Sequence, residues 1–162
     1  MPNQTLHCDC TIEKWPAKEL AQADRDLLAA AHRAALNAYA PYSQFQVGAA
    51  ARLENGEVVL GANQENMSYP QGMCGERIAV FTAGAQYPGV AIEAVAIVSP
   101  SPIANPNAFM PCGGCRQVLL ESEQRQEGSI RLLLQARDED VLVSKSATNL
   151  VPFAFDADGL GR

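Results

Sequence analysis

The chain has 162 residues, 48% of them hydrophobic and 19% charged, with no low-complexity tract, which predicts one soluble globular domain large enough to bury a core. Its net charge of −6 argues against a nucleic-acid polymer, which calls for a basic face, and no apolar run reaches the roughly 18 residues that span a bilayer. A small-molecule ligand is the partner class left.

Residues 1–15 show no periodicity and lack the basic and apolar blocks of a signal peptide, so they are expected as a tail, packed through Trp15, ahead of a single domain over 16–162. From Lys18 to Ala40 apolar residues recur every three or four positions (Leu20, Ala23, Leu27, Ala31, Ala34, Ala38), which predicts a helix opened at Pro16 and stopped by Pro41. The period then changes to two. Phe45, Val47, Ala49, Ala51 and Leu53 alternate, Asn55-Gly56 supplies a tight turn, and Val58 and Leu60 resume on a returning strand. After Cys74, "GERIAVFTAGAQ" reads as a helix with Ile78, Phe81, Thr82 and Ala85 on one side. The unbroken apolar run "AVAIV" (94–98) predicts a strand covered on both faces. A loop with Pro100, Pro102 and Pro106 leads to a helix in "GGCRQVLLESEQ", strands in "IRLLLQ" (130–135) and "DVLVS" (140–144), and one helical turn in "KSATNLVPFAF". The order α-β-β-α-β-α-β-β predicts an α/β fold of three layers, with helices on both faces of a mixed five-stranded sheet.

Five cysteines, an odd number without a secretory signal, predict a reducing compartment, the cytoplasm, and metal or catalysis over a disulfide framework. Cys112 and Cys115 in "PCGGCRQ" sit at a loop-to-helix junction whose amides favour thiolates. Alone, the C-x-x-C spacing fits a zinc site, a dithiol redox centre or two incidental thiols. Cys74 in "SYPQGMCGER" occupies the same kind of junction, where open α/β folds collect their ligands. That geometry can gather three thiols, and three protein ligands leave the fourth tetrahedral position open, as in a catalytic zinc site. Glu76 can then sit beside the open position as acid and base; the plainer reading is a first-turn carboxylate favouring the helix dipole. Three thiolates leave a zinc cluster at −1, an excess that Arg77 and Arg116 can offset unless both are solvated surface arginines. His32 reads as a helix-surface residue, and His7-Cys8-x-Cys10 as a tail with spare thiols.

"PYSQFQVGAA", "NQENMSYP", "CGER" and "PCGGCRQ", in that order and spacing, resemble the small zinc-dependent cytidine deaminases over roughly Tyr39 to Phe155. The resemblance implies Cys74, Cys112 and Cys115 as ligands of one Zn²⁺, which activates water for attack at C4 of a pyrimidine. It implies Glu76 as the carrier of protons from that water to ring N3 and to departing ammonia. It implies Asn63 and Glu65 on the ribose hydroxyls, Phe45 against the base, and the backbone amide of Gly75 on the pyrimidine carbonyl. It further implies a homotetramer whose neighbours close each pocket; Tyr69, ahead of Cys74, and Phe155, in the "LVPFAF" chain end, are aromatic residues suited to that closure. Three positions depart from the family pattern: Gly75 stands where Ala is usual, Gln64 where Val or Ile is, and Met67 where Ala or Cys is. The activity expected is hydrolytic deamination of cytidine or 2′-deoxycytidine, in pyrimidine salvage. The alternatives are a deaminase of another nucleoside-like substrate such as blasticidin, against which Asn63-x-Glu65 argues, a C-G-G-C dithiol oxidoreductase, and a zinc-ribbon module using Cys8, Cys10, Cys112 and Cys115.

Overall fold

Turn chemistry and pleat build the first hairpin, β2 (Gly48–Leu53) and β3 (Val58–Ala62), in the computed structural model, which describes residues 4–137 and 139–155. Gly56 takes φ +87° and its N–H closes on the Leu53 carbonyl at 2.9 Å, while the Asn55 side chain accepts from Glu57 N–H at 3.1 Å. The remaining elements are β1 (Glu13–Trp15), α1 (Gln22–Ala35), α2 (Gly75–Gln86), β4 (Ile92–Ser99), α3 (Gly113–Gln124), β5 (Arg131–Ala136) and β6 (Val141–Ser144). Short 3₁₀ turns lie at Ala17–Glu19, Tyr69–Gln71 and Thr148–Leu150.

The strands form one mixed sheet in the order β1-β6-β5-β4-β2-β3. Helix α1 covers one face, where Leu27, Leu28 and Ala31 meet Ala50, Ala94, Ala96, Val98 and Leu133. Helices α2 and α3 cover the other, where Ala79, Val80, Ala83 and Leu119 meet Ala49, Ala51, Val95, Ile97, Leu132 and Leu134. Strand β4 feeds both cores, which is why its sequence is apolar without alternation. The three-layer α/β reading holds. The strand count does not: among the described residues there are six, because Glu13–Trp15, expected within a tail, pairs antiparallel with β6 (Glu13↔Val143, Trp15↔Val141). Three residues give no readable period, and their partner lies far along the chain.

Two glycines set how closely helices approach the sheet. A Cβ on Gly48 would lie 2.1 Å from the Ala31 carbonyl oxygen, and one on Gly61 2.2 Å from that of Gly75. Two helices differ from the pattern: α1 opens at Gln22 rather than Lys18, after the separate turn at Ala17–Glu19, and also ends early, and α2 buries a different side. Helix α1 ends at Ala35, well before Pro41, because the chain tightens through Leu36 and Asn37 and Tyr39 then bridges Asn63 and Glu65 by backbone bonds of 2.9 and 2.8 Å. The buried side of α2 is Gly75, Glu76, Ala79, Val80 and Ala83, and Phe81 is 48% exposed. Small residues there permit the close contact with β3 that the larger Ile78 and Phe81 would prevent.

Candidate active site

Register brings the working loops to one end of the sheet. Gly48 is opposite both Ala62 and Val98, so the segment ahead of β2, the exit of β3 and the exit of β4 converge. From those exits the chain turns back into α2 and α3, whose N-caps are Cys74 and Cys112. Cys115 lies in the first turn of α3 and is fully buried. The three sulfurs all lie within 4.8 Å of one another, with Cys112 and Cys115 at 3.4 Å. A tetrahedral ion with Zn–S bonds of about 2.3 Å needs sulfurs about 3.8 Å apart, so the donor set fits zinc in number, softness and span. Among the described residues no other group of three metal-binding side chains gathers this way, and Cys8 and Cys10 are exposed and apart from it.

The hydrogen bond from Cys115, with further help from Arg77, holds the Cys74 thiol well below the ordinary thiol range. As donor to that thiolate in a buried position, Cys115 is pushed up. Arg77 Nη2 lies 3.6 Å from Cys74 Sγ, where the sequence placed a counter-charge, and its Nε is buried with no hydrogen-bond partner. Arg116 turns elsewhere: Nε donates to the Pro111 carbonyl at 2.9 Å and Nη1 to that of Leu150 at 3.2 Å. Glu76, in the first turn of α2, is 5% exposed; burial pushes its carboxyl up, and its contact with Cys115 opposes that only in part.

A cavity of about 370 Å³ opens beside the cluster and joins the sequence-derived residues into one site. Its lining includes Cys74, Cys112, Glu76, Phe45, Asn63 and Glu65. Asn63 braces the loop ahead of β2, accepting from Val47 N–H at 2.8 Å and donating to the Phe45 carbonyl at 2.9 Å. One N–H and one lone pair of its amide stay free for a ligand by these bonds. The Glu65 carboxylate accepts from the amides of Tyr42 and Ser43 at 2.9 and 3.2 Å and from the Ser43 hydroxyl. That hydroxyl is the main reason its carboxyl is held below the usual range. Gly75 is buried, and a Cβ there would press at 3.0 Å on the Val47 carbonyl oxygen.

Phe109, which the motifs did not single out, backs Phe45 with ring centroids 6.3 Å apart, and Met110 lines the same cavity. The only signal for them was their place just before "PCGGC". Tyr69 is 76% exposed and leans on Tyr42 at 6.1 Å; Phe155 is 73% exposed, its carbonyl accepting from Gln117 at 3.3 Å. Neither lines this cavity within one chain. His32 is half-buried and bonded to Gln135 at 2.8 Å, so it ties α1 to β5 rather than facing water. A larger cavity of about 650 Å³, among Glu54, Tyr87 and Arg125, holds none of these residues.

Residues 21–127 match the family described as the cytidine and deoxycytidylate deaminase zinc-binding region. The chain belongs to that deaminase family. A cytidine deaminase of Mycobacterium tuberculosis is 40% identical over 132 residues, covering 82% of this chain and 89% of that protein. One from Halalkalibacterium halodurans is 38% identical, covering 83% and 95%. The crystal structure of the Burkholderia pseudomallei cytidine deaminase superposes with a TM-score of 0.71 at 39% identity, covering 84% of this chain and all of that one. The cofactor of this deaminase is zinc, and the Cys74, Cys112 and Cys115 cluster is placed to hold it.

Proposed function

We propose that this deaminase hydrolyses cytidine and 2′-deoxycytidine to the corresponding uridine nucleoside and ammonia. The observation that carries the reading is one cavity lined by two cysteines of the three-thiol cluster, the buried Glu76 carboxyl and the polar side chains of Asn63 and Glu65. Cys74, Cys112 and Cys115 hold Zn²⁺, which when bound supplies Lewis acidity for attack of water at C4. Glu76 takes one proton from that water and delivers it to ring N3, then takes the second from the hydroxyl left on C4 and passes it to the departing amine, so the water oxygen becomes the keto oxygen and ammonia leaves. Burial suits it to the task, because a carboxyl pushed above its ordinary range holds a proton more readily and can both take one up and pass it on. The Phe45 ring, backed by Phe109, supports one face of the base, and Gly75 N–H faces its carbonyl. Glu65 accepts a ribose hydroxyl and Asn63 orients it. Arg77 balances the thiolate charge. A dithiol oxidoreductase would have no use for the third thiol or the buried Glu76.

The working unit is a homotetramer in the cytoplasm. Its support is the exposure of Tyr69 and Phe155, large aromatic side chains of the kind enriched at interfaces. Free thiols throughout suit a reducing compartment. The test is the fall of cytidine ultraviolet absorbance with equimolar ammonia release. Chelation of zinc abolishes it and added zinc restores it, and light scattering gives the mass of four chains. Zinc-loaded protein that leaves cytidine and 2′-deoxycytidine intact would overturn the reading.

A further inference from the structure

Strand β1 lies before residue 21, outside the stretch that matches the family, yet its bonds reach segments that wall the cavity. Two residues before it, Thr11 has no strand partner. The Asn149 side chain takes that place: Oδ1 accepts from Thr11 N–H at 3.0 Å and Nδ2 donates to the Thr11 carbonyl at 2.7 Å. The amide thus copies a peptide unit of an adjacent strand and continues the ladder past β6. Nδ2 also donates to Ser144 Oγ at 2.8 Å, which fixes the amide against the end of β6. Ile12, between Thr11 and β1, packs on the core that α2 and α3 share. Lys14 Nζ reaches Asn107 Oδ1 at 3.3 Å, two residues before Phe109 of the cavity.

Asn149 also stands one residue before Leu150, whose carbonyl is held by Arg116. The same guanidinium holds the carbonyl of Pro111, the residue ahead of Cys112. A short path therefore runs from Thr11 through Asn149, Leu150 and Arg116 to the Pro111–Cys112 wall, and Gln117 holds segment 150–155 at the Phe155 carbonyl. None of Thr11, Asn149 and Lys14 touches the cavity.

We propose that Asn149 is a positioning residue through which the N-terminal segment 11–15 holds the 150–155 segment and the Pro111 wall in the substrate-competent arrangement. The inference rests on the cytidine-deaminating reading. Without the Thr11–Asn149 pair, segment 150–155 loses its tie to the N-terminal segment. It keeps its bonds to α3, the turn bonds of Leu150 and Val151 to Ala147 and Thr148, and the packing of Leu150, and the competent arrangement becomes a fraction of the population. Apparent affinity falls by that fraction, while the complex once formed reacts as before. The signature is a rise in KM without a fall in kcat.

The experiment uses the full chain with Asn149→Ala, Asn149→Asp, Thr11→Pro and the Asn149→Ala/Thr11→Pro double variant. Thr11→Pro removes the N–H donor from the other side of the pair, leaves the Thr11 carbonyl to accept, and stiffens the backbone there. KM for cytidine is expected to rise about three- to tenfold in Asn149→Ala and Thr11→Pro. Asn149→Asp, which sets a carboxylate oxygen against the Thr11 carbonyl, should rise at least as much, and the double variant should be no worse than Asn149→Ala. In all of them kcat and zinc content stay at the parent values. An unchanged KM with a lowered thermal midpoint would make the pair purely structural and overturn the proposal. Additive effects, or loss of zinc from Asn149→Ala, would overturn it as well. A parent that fails to turn over cytidine would sink the reading beneath it, an outcome seen before any variant is measured.

Discussion

Glu123 on α3 offers a sharp test of how the chain end is held. Its carboxylate is 8% exposed and meets five donors. Oε2 accepts from Ile130 N–H at 2.6 Å and Ala147 N–H at 2.8 Å; Oε1 accepts from Thr148 N–H at 3.1 Å and from the Ser146 and Thr148 hydroxyls, each at 2.6 Å. In Glu123→Gln one oxygen becomes an NH₂ group. On the Oε2 side it would oppose two backbone amides, which cannot reverse. On the Oε1 side both hydroxyls can rotate to accept, and the Thr148 N–H keeps Ser146 Oγ at 3.1 Å, so the amide settles there. The cost is the charge assistance of these bonds, with the Thr148 N–H left on its neutral second partner, about 2–4 kcal/mol. With a urea slope of about 1–3 kcal/mol/M, the unfolding midpoint should fall by about 1–2 M at pH 7. Burial alone would push this carboxyl up, but the Ser146 and Thr148 hydroxyls and the amides pull it below the ordinary 4.5. A folded value below the unfolded one means the stabilisation is complete above about pH 4.5 and is lost as pH falls through the lower folded value. The gap between parent and variant should therefore narrow in acid. Equal midpoints at pH 7, or a gap that widens in acid, would refute the reasoning.

Glu76→Gln should keep its zinc and its circular-dichroism spectrum while turnover falls by about 10²–10⁴-fold, the span of a positioned acid–base group; near-parent activity with full zinc would remove Glu76 from the proton path. Glu65→Ala should lower kcat/KM for cytidine by about tenfold or more with zinc unchanged, because a ribose hydroxyl loses its acceptor; equal activity would point to a different sugar edge. Gly61→Ala sets a Cβ 2.2 Å from the Gly75 carbonyl oxygen and 2.5 Å from Ala79 N, backbone that can yield only by moving α2. It should destabilise the fold by about 1–3 kcal/mol and cost activity even where zinc stays bound, and a variant as stable as the parent would refute the close approach.

What the sequence told in advance follows what is local. "GGCRQVLLESEQ" is α3 residue for residue, because twelve consecutive residues carry the helical signal. The three cysteines and Glu76 were legible because each stands at a strand-to-helix junction, and short spacing fixes which residues share a turn. Strand β1 was illegible for the opposite reason: its partner is about 130 residues away, and only tertiary pairing makes three residues a strand. Phe109 and Met110 sit in a proline-rich loop without period, so nothing local marks them as a pocket wall. Arg116 misled through its neighbourhood, since adjacency to a ligand does not choose between sulfur and a carbonyl. The buried side of α2 was misread by size, because a helix held against glycine buries its smallest residues.

The end of the sheet that carries the chemistry follows from topology. Strands β3 and β4 run parallel with β2 between them, so both leave the sheet at one end, and both crossover helices begin there. Each helix presents its amide end to a cysteine, which favours thiolate where three like charges would otherwise repel. Gly61 and Gly75 then allow α2 to lie against β3, which holds Glu76 in the buried layer rather than at the surface. A carboxyl in that layer is pushed toward its neutral form, the condition under which it can both accept and return a proton. The acid–base property of Glu76 is thus set less by the residues flanking it in sequence than by two glycines that let a helix come close.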